Sequence, residues 1–359
     1  MVKSESNGFR IKAYELPFHD EITEFWVVNN KITFKEKQDA PLLFEKPVFA
    51  APGLVDAHVH LTIDFNGFNL NPASKELVQA NRRAHLESGT LLLRDIGTVN
   101  ESSTLKIARN DGLPIVHSAG SFLAPKHGYF DFIDPVKGEN LEERAVNQVK
   151  DGFQWVKIIL DFPKGGDFSN SQLNFAEENV HQTVKAVQKI GGRVAVHVTN
   201  KEGVQLAINS GVDTLEHGFH LSKNQLDQMA QKHISWTPTL SIINLLRNYT
   251  GMDKQIPFIN DNMKDLIPLA NEHLTLLAGT DMLSHGSVGN EILKMYEFGL
   301  SAEDAIATAT TIPRSYLGEN GIEEGADADL IFFAEDPRKD IEIIRKPPSK
   351  IMMHGKIIG

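Results

Sequence analysis

The residues best suited to do chemistry are His58 and His60, in the run Val55-Asp56-Ala57-His58-Val59-His60. In a strand, residues i and i+2 face the same way, about 6–7 Å apart, so two imidazoles can converge on one ion. A pair of hydrogen-bonded core histidines is the plainer reading of such a pair taken alone. Three other apolar runs, however, end on groups of the same kind. His197 follows Val194-Ala195-Val196, His217 follows Asp213-Thr214-Leu215-Glu216, and Asp281 follows Leu276-Leu277-Ala278-Gly279-Thr280. Neutral imidazole and carboxylate suit zinc and its neighbours in the first transition row. Each of these residues taken singly is more often structural, and it is their recurrence at four strand ends that favours a shared metal site.

Lys157 adds a different chemistry. It lies inside Trp155-Val156-Lys157-Ile158-Ile159-Leu160, a run apolar enough to be buried on both faces. An unpaired buried ammonium is costly, so such a site lowers the lysine pKa or neutralises the amine. A neutral amine can add carbon dioxide and become a carbamate, an anionic group with two oxygens able to bridge two metals. The alternative is a lysine at a strand edge that snorkels to solvent.

These groups need a scaffold that brings strand ends together. Eight apolar segments qualify as strands: Gly53–His60, Leu91–Asp95, Pro114–His117, Trp155–Leu160, Arg193–His197, Val212–Glu216, Ile234–Pro238 and Leu274–Asp281. Amphipathic stretches separate them, among them Lys75–Glu87, Leu141–Lys150, Glu177–Ile190 and Lys223–Gln231. An eightfold strand–helix alternation predicts an α/β chain whose parallel strands close into a (β/α)8 TIM-like barrel, with the active face at their C-terminal ends. The competing open doubly wound sheet lacks a Gly-rich phosphate turn here.

The chain ends read differently. Glu24–Lys35 alternates around Asn29-Asn30 as a hairpin does, and Asp329–Phe333 and Ile351–Ile358 are strand-like, the latter broken at His354-Gly355. We therefore expect residues 54–318 to form the barrel. Residues 1–53 and 319–359 should form a small composite β-sandwich from both termini.

Composition narrows the function. The 359 residues are 41% hydrophobic and 23% charged, an ordinary globular balance. A formal net charge of −11 repels phosphate backbones, so a nucleic-acid partner is not expected. With no cysteine in the chain, disulfides, thiolate metal sites and a cysteine nucleophile are excluded. Residues 1–10 are polar and no 18 apolar residues run together, so we expect no membrane span and a cytoplasmic protein. Neither a Gly-x-Ser-x-Gly elbow nor a phosphate-cradling Gly-x-x-x-x-Gly-Lys loop is present.

Read together, Pro52-Gly53-Leu54-Val55-Asp56-Ala57-His58-Val59-His60, Leu93-Arg94-Asp95-Ile96-Gly97, Val156-Lys157-Ile158, Glu216-His217-Gly218, Gly279-Thr280-Asp281 and Gly325-Ala326-Asp327-Ala328-Asp329-Leu330 resemble the landmarks of the amidohydrolase superfamily. They stand in the expected order and span nearly the whole chain, closest to the imidazolonepropionase-like and prolidase-like branch with its Xaa-Pro and Xaa-Arg dipeptidases. The resemblance implies two divalent ions, zinc by default, with manganese, cobalt or iron open. His58, His60 and Asp281 would hold one, His197 and His217 the other, and a carboxylated Lys157 would bridge them. It further implies a bridging hydroxide as nucleophile, with Asp281 taking its proton and passing it to the leaving nitrogen.

The implied activity is hydrolysis of an amide in a small molecule, most simply a dipeptide or an N-acyl amino acid. Cyclic-amide hydrolysis of the imidazolonepropionase type is the closest alternative, and carbamate, ester or lactone hydrolysis stays open. A deaminase is disfavoured because His197-Val198-Thr199-Asn200 lacks a nearby Glu and Lys157 is available as a bridge; a non-catalytic metal-binding barrel is the remaining contrast. His127 resembles a substrate-facing histidine of this branch, with Ala124-Pro125-Lys126 where relatives carry a Gly-rich lead-in, and Tyr129 is a weaker candidate. His220, His285 and Glu291 lie near active-face loops, where capping or surface roles serve equally well. Arg94-Asp95 reads as an ion pair supporting the site. Assembly into a homo-oligomer is open.

Overall fold

The computed structural model describes residues 8–66, 69–99, 111–163, 171–248, 252–282 and 284–358. The chain opens with β1 (Gly8–Glu15), β2 (Ile22–Val28), β3 (Lys31–Thr33) and β4 (Val48–Pro52). Asn29 and Asn30 both adopt positive φ, 52° and 67°, which gives the tight β2–β3 turn the twist its strands need. Then follow β5 (Leu54–Val59), a β6 (Ile63–Asn66) and β7 (Asn69–Pro72) hairpin, α1 (Lys75–Glu87), β8 (Thr90–Asp95) and β9 (Ile115–Ser118).

The middle of the chain comprises α2 (Leu141–Lys150), β10 (Trp155–Ile159), a short β11 (Asp161–Pro163) and β12 (Ser171–Leu173) pair, α3 (Glu177–Lys189), β13 (Arg193–Val198), α4 (Lys201–Ser210), β14 (Thr214–His217), α5 (Lys223–Gln231) and β15 (Ser235–Thr237). Helices α6 (Met252–His273), α7 (Val288–Glu297), α8 (Ala302–Ala307) and α9 (Thr311–Leu317) lead to β16 (Leu330–Phe333), β17 (Lys350–Met353) and β18 (Lys356–Ile358). Among the described residues no helix is long and apolar enough to cross a membrane.

The fold is α/β. Strands β5, β8 and β9 form one parallel sheet, and β10, β13, β14 and β15 form another. Two parallel bridges, Ala119 to Trp155 and Leu123 to Ile158, join the first sheet to the second. At the far edge Trp236 bridges Leu276, and Ala57 N–H donates to the Ala278 carbonyl at 2.9 Å, leading back to β5.

The eighth expected strand is a partial one. Over 274–281 an isolated bridge at Leu276 replaces a ladder, because Ala278 N–H turns to the Thr308 carbonyl and Asp281 sits at φ 53°. The structure also contains strands that alternation did not reveal, β1, β4 and the two short hairpins. Side-chain period two sorts the strand faces. Val156 and Ile158 of β10, and Val194, Val196 and Val198 of β13, pack in the large cluster with the helices. Burying each such valine contributes roughly 1.5–3 kcal/mol. Lys157, Ala195 and His197 occupy the intervening positions and are left for the opposite face.

The terminal strands form one seven-stranded sheet in the order β18-β17-β16-β4-β1-β2-β3, to which both ends of the chain contribute. Its apolar face gathers Ile11, Phe25, Val27, Ile32, Leu330, Phe332 and Met352 with Ala326 and Ala328. Residues 326–328 tie the two margins of this sheet, through Ile32 N–H to Ala326 O, Ala328 N–H to Asn30 O and Gly355 N–H to Ala328 O.

Candidate active site

The C-terminal ends of the parallel strands bring the predicted groups together. His58 Nε2 lies 3.2 Å from His60 Nε2, and Asp281 Oδ1 lies 3.6 Å and 3.3 Å from those two nitrogens. Ligand atoms of His58, His217 and Asp281 all fall within 4.8 Å of one another. The His197 ring stands edge-on to His217 with centroids 4.5 Å apart. Lys157 is fully buried, so it does not snorkel, and neither its Nζ nor His197 Nε2 has a hydrogen-bond partner among the described residues.

The local backbone explains how consecutive residues serve one site. His217 takes φ 68° and Asp281 φ 53°, a left-handed turn that sparsely suits non-glycine residues. Glu216 therefore points inward by strand alternation, while His217, next in sequence, is swung to the strand end beside His58. Gly279 is required by contact, since a Cβ there would stand 2.5 Å from His58 Cβ. The loops after His197 and His217 are closed by helix caps, Asn200 accepting from Gly203 N–H and Ser222 from Gln225 N–H.

The surrounding hydrogen bonds fix which imidazole nitrogens carry protons. His58 Nδ1 is 2.7 Å from Glu216 Oε2, and that carboxylate also accepts from Arg94 at 2.9 and 3.1 Å. Burial alone would raise the Glu216 pKa, but Arg94 and His58 outweigh it and hold the group well below the usual carboxylate range. An anion there accepts the His58 Nδ1 proton, leaving Nε2 bare. His60 Nδ1 faces the Gly97 carbonyl at 3.2 Å, which can only accept, so its Nε2 is bare as well. Thr239 Oγ1 lies 2.8 Å from His217 Nδ1 and donates to the Pro238 carbonyl, so His217 gives its Nδ1 proton to Thr239.

Two bare imidazole nitrogens thus face each other beside a carboxylate, with no proton between them. Burial, then the Lys157 charge, pushes the His58 pKa down to about 3, and burial pushes His217 down to about 4. Burial raises Asp281, and positive charge at His58, His60 and His217 is what lowers it, so with those rings neutral the carboxylate calls for a cation beside it. The Lys157 ammonium is pushed down to about 8, first by burial. Lone pairs and negative charge converging in a dry place are what a divalent cation requires, so the residues present fit a metal centre.

The remaining candidates separate. Tyr129 stands 5.6 Å from His197, ring to ring, in an aromatic wall with Phe122, Phe130 and Phe162. His127 is 70% exposed on the same loop and lies 3.6 Å from Asp131. His220 donates from Nδ1 to the Thr199 carbonyl, and Glu291 accepts from Leu240 N–H and Ser241 N–H, tying the loop after β15. His285 meets His85, its Nδ1 lying 3.0 Å from His85 Nε2.

The expected Arg94–Asp95 ion pair does not form. Neighbours on a strand face opposite ways, so Arg94 turns inward to Glu216, Thr237 and the Ala57 carbonyl, and the buried Asp95 oxygens have no side-chain partner among the described residues. Sequence reading missed Glu216 and Asp56 as parts of the site. Asp56 accepts from Thr280 N–H at 3.0 Å and from Thr280 Oγ1 at 2.6 Å, clipping β5 to the turn that carries Asp281. Both lie within two residues of a predicted ligand, and a charged side chain inside a buried strand was the available signal.

A family model described as Amidohydrolase family matches residues 49–358. The chain is 28% identical over 382 residues to an uncharacterized protein of Mycobacterium tuberculosis, covering 100% of this chain and 98% of that one. It is 25% identical over 397 residues to ochratoxinase of Aspergillus niger, covering 95% of this chain and 81% of the relative. A crystal structure of a Xaa-Pro dipeptidase with bound methionine in its active site superposes with a TM-score of 0.80 at 23% identity, covering 98% of this chain and 99% of that one. With most of its length matched by that model, and histidines and a carboxylate gathered at the strand ends, the chain belongs to the Amidohydrolase family.

Proposed function

We propose that the protein is a binuclear metal-dependent hydrolase of amide bonds in small molecules, of the dipeptide or N-acyl amino acid type. The observation that carries this reading is the pair of proton-free Nε2 atoms of His58 and His60, 3.2 Å apart beside Asp281. His58, His60 and Asp281 would hold one ion, His197 and His217 the other, and Lys157, as a carbamate, would join them. Bound divalent ions supply Lewis acidity toward the scissile carbonyl and make water a better nucleophile at neutral pH.

The chain's own groups do the rest. Asp281, the carboxylate beside the two bare nitrogens, receives the proton of the attacking water and delivers it to the leaving nitrogen. Glu216 and Arg94 lock the His58 ring, and Asp56 with Thr280 locks the Asp281 turn. The aromatic wall of Tyr129, Phe130 and Phe162 beside His197 excludes water and suits a substrate with an apolar or aromatic side chain.

The same reading extends to the architecture. The bridges between the two parallel sheets, and from β15 through Leu276 back to β5, support a closed (β/α)8 barrel over residues 54–318. The tied margins of the terminal sheet support a composite β-sandwich of residues 1–53 and 319–359.

The test is hydrolysis of a panel of dipeptides and N-acyl amino acids by purified protein, with metal counted per chain. The expected result is two ions per chain and cleavage abolished by a chelator and restored by zinc. In Asp281→Asn, turnover should fall by orders of magnitude while the fold and the second ion's ligands persist. Cleavage that is indifferent to chelation, or retained in that variant, rejects the reading.

A further inference from the structure

Beyond the metal ligands, a histidine pair, His85 buried and His285 half-buried, has its protons fixed by geometry alone. Gly286 N–H lies 3.2 Å from His85 Nδ1, and a backbone amide can only donate. His85 Nδ1 is therefore the bare nitrogen of that ring, and its proton sits on Nε2. That atom lies 3.0 Å from His285 Nδ1, which must accept. His285 is thereby held neutral with its remaining proton on Nε2. The Nε2 atom is buried and has no hydrogen-bond partner among the described residues.

An unmet buried donor costs roughly 1–3 kcal/mol, so its presence calls for a partner that arrives later. Its position says what arrives. His285 lies on the loop that follows Asp281, four residues on, and its ring stands 6.4 Å from Phe65. Phe65 packs in the cluster that contains Phe122 and Tyr129, and the Phe122 ring lies tilted against His60 with centroids 5.1 Å apart. The donor thus borders the aromatic cluster that reaches His60 in the candidate active site.

We propose that His285 is a substrate-recognising residue whose Nε2–H binds an acceptor oxygen, carbonyl or carboxylate, of the bound substrate, with His85 as the positioning residue that fixes its tautomer. The proposal rests on reading the adjoining cluster as the hydrolytic site. A neutral, single-proton donor of this kind selects for an oxygen acceptor and against an ammonium or amide N–H at the same place, because either would leave two donors face to face. Burial, the largest cause, pushes the His285 pKa down to about 4, which agrees with the neutral form the geometry requires.

The test uses the full-length, metal-loaded protein labelled with 15N-histidine, and as probe 3-phenylpropanoate, which carries the carboxylate and the aromatic ring but no amide to cleave. In the free protein, the His285 resonances should report a neutral ring protonated at Nε2. Saturating probe should shift that Nε2 signal. In His85→Phe the single tautomer should give way to a mixture. In His285→Phe, affinity for the probe should fall about fivefold to tenfold, the loss of one hydrogen bond, and His285→Gln, which keeps a donor, should recover most of it. A bare or doubly protonated wild-type ring, or an Nε2 signal that does not move with probe, overturns the proposal even if the phenylalanine variant fails to fold. Hydrolysis of the amide panel by the wild-type protein is read separately: its failure rejects amide hydrolysis, while the nitrogen spectra still decide His285.

Discussion

Glu216→Gln is the sharpest perturbation of the site, because it keeps the side chain's shape and removes only its charge. Glu216 accepts from His58 Nδ1 at 2.7 Å, from Arg94 Nη2 at 2.9 and 3.1 Å, and from Thr214 Oγ1 at 3.1 Å, all in a fully buried place. Two consequences follow with separate magnitudes. The Arg94 guanidinium would lose its counter-charge and keep neutral acceptors alone, the glutamine oxygen, Thr237 and the Ala57 carbonyl, and breaking one side of a buried pair costs about 3–5 kcal/mol.

The glutamine amide would also donate to His58 Nδ1 and drive the ring proton to Nε2, toward the metal. Loss of such a supporting partner lowers metal affinity about 10- to 100-fold. Against a typical domain stability of about 5–15 kcal/mol the variant should still fold, so both effects are measurable. Urea denaturation of chelated protein reads the first, and competition with a chromophoric chelator for zinc reads the second. Arg94→Met combined with Glu216→Leu separates them: removing both charges should recover most of the stability, because apolar replacement of a buried ion pair is often neutral or better, yet the affinity should stay low. If the single variant binds zinc within about twofold of wild type, His58 orientation does not depend on Glu216 and the tautomer argument fails.

Lys157→Met removes a buried ammonium that has no partner among the described residues, so the chelated protein should be at least as stable as wild type, while metal analysis should find one ion per chain in place of two. Gly279→Ala would press a methyl to within 2.7 Å of Thr237 Cγ2 and 2.9 Å of His58 N; denaturation should show a loss of about 1–3 kcal/mol, with weaker metal binding because His58 must shift. Acidification has a definite sign at His285. Its folded pKa of about 4 lies below the unfolded value near 6.5, so the stability it contributes is complete above pH 6.5 and is lost as pH falls through 4. That loss amounts to about 3 kcal/mol at its limit. Chelated wild type should therefore be more acid-sensitive than chelated His285→Phe between about pH 6.5 and 4, and equal slopes for the two in pH-dependent denaturation would contradict this.

Much of the arrangement was written in local pattern. Period-two alternation around His58 and His60, the apolar runs ending at His197 and His217, and the lysine inside Trp155–Leu160 are signals within a few residues of chain, and the strands and helices they predicted appear with boundaries shifted by one or two residues. The Asn29-Asn30 turn was equally legible, since only positive φ fits it. What the sequence could not carry was pairing across distance. That Arg94 turns from Asp95 to Glu216, 122 residues away, depends on which strand lies opposite. Burial decides in the same way that Lys157 lacks a partner among the described residues, and that His85 and His285, 200 residues apart, share one proton order. The physical reason is that residue type and spacing determine which face a side chain takes. The proton it holds and the charge it feels are set by neighbours that only the closed tertiary packing supplies.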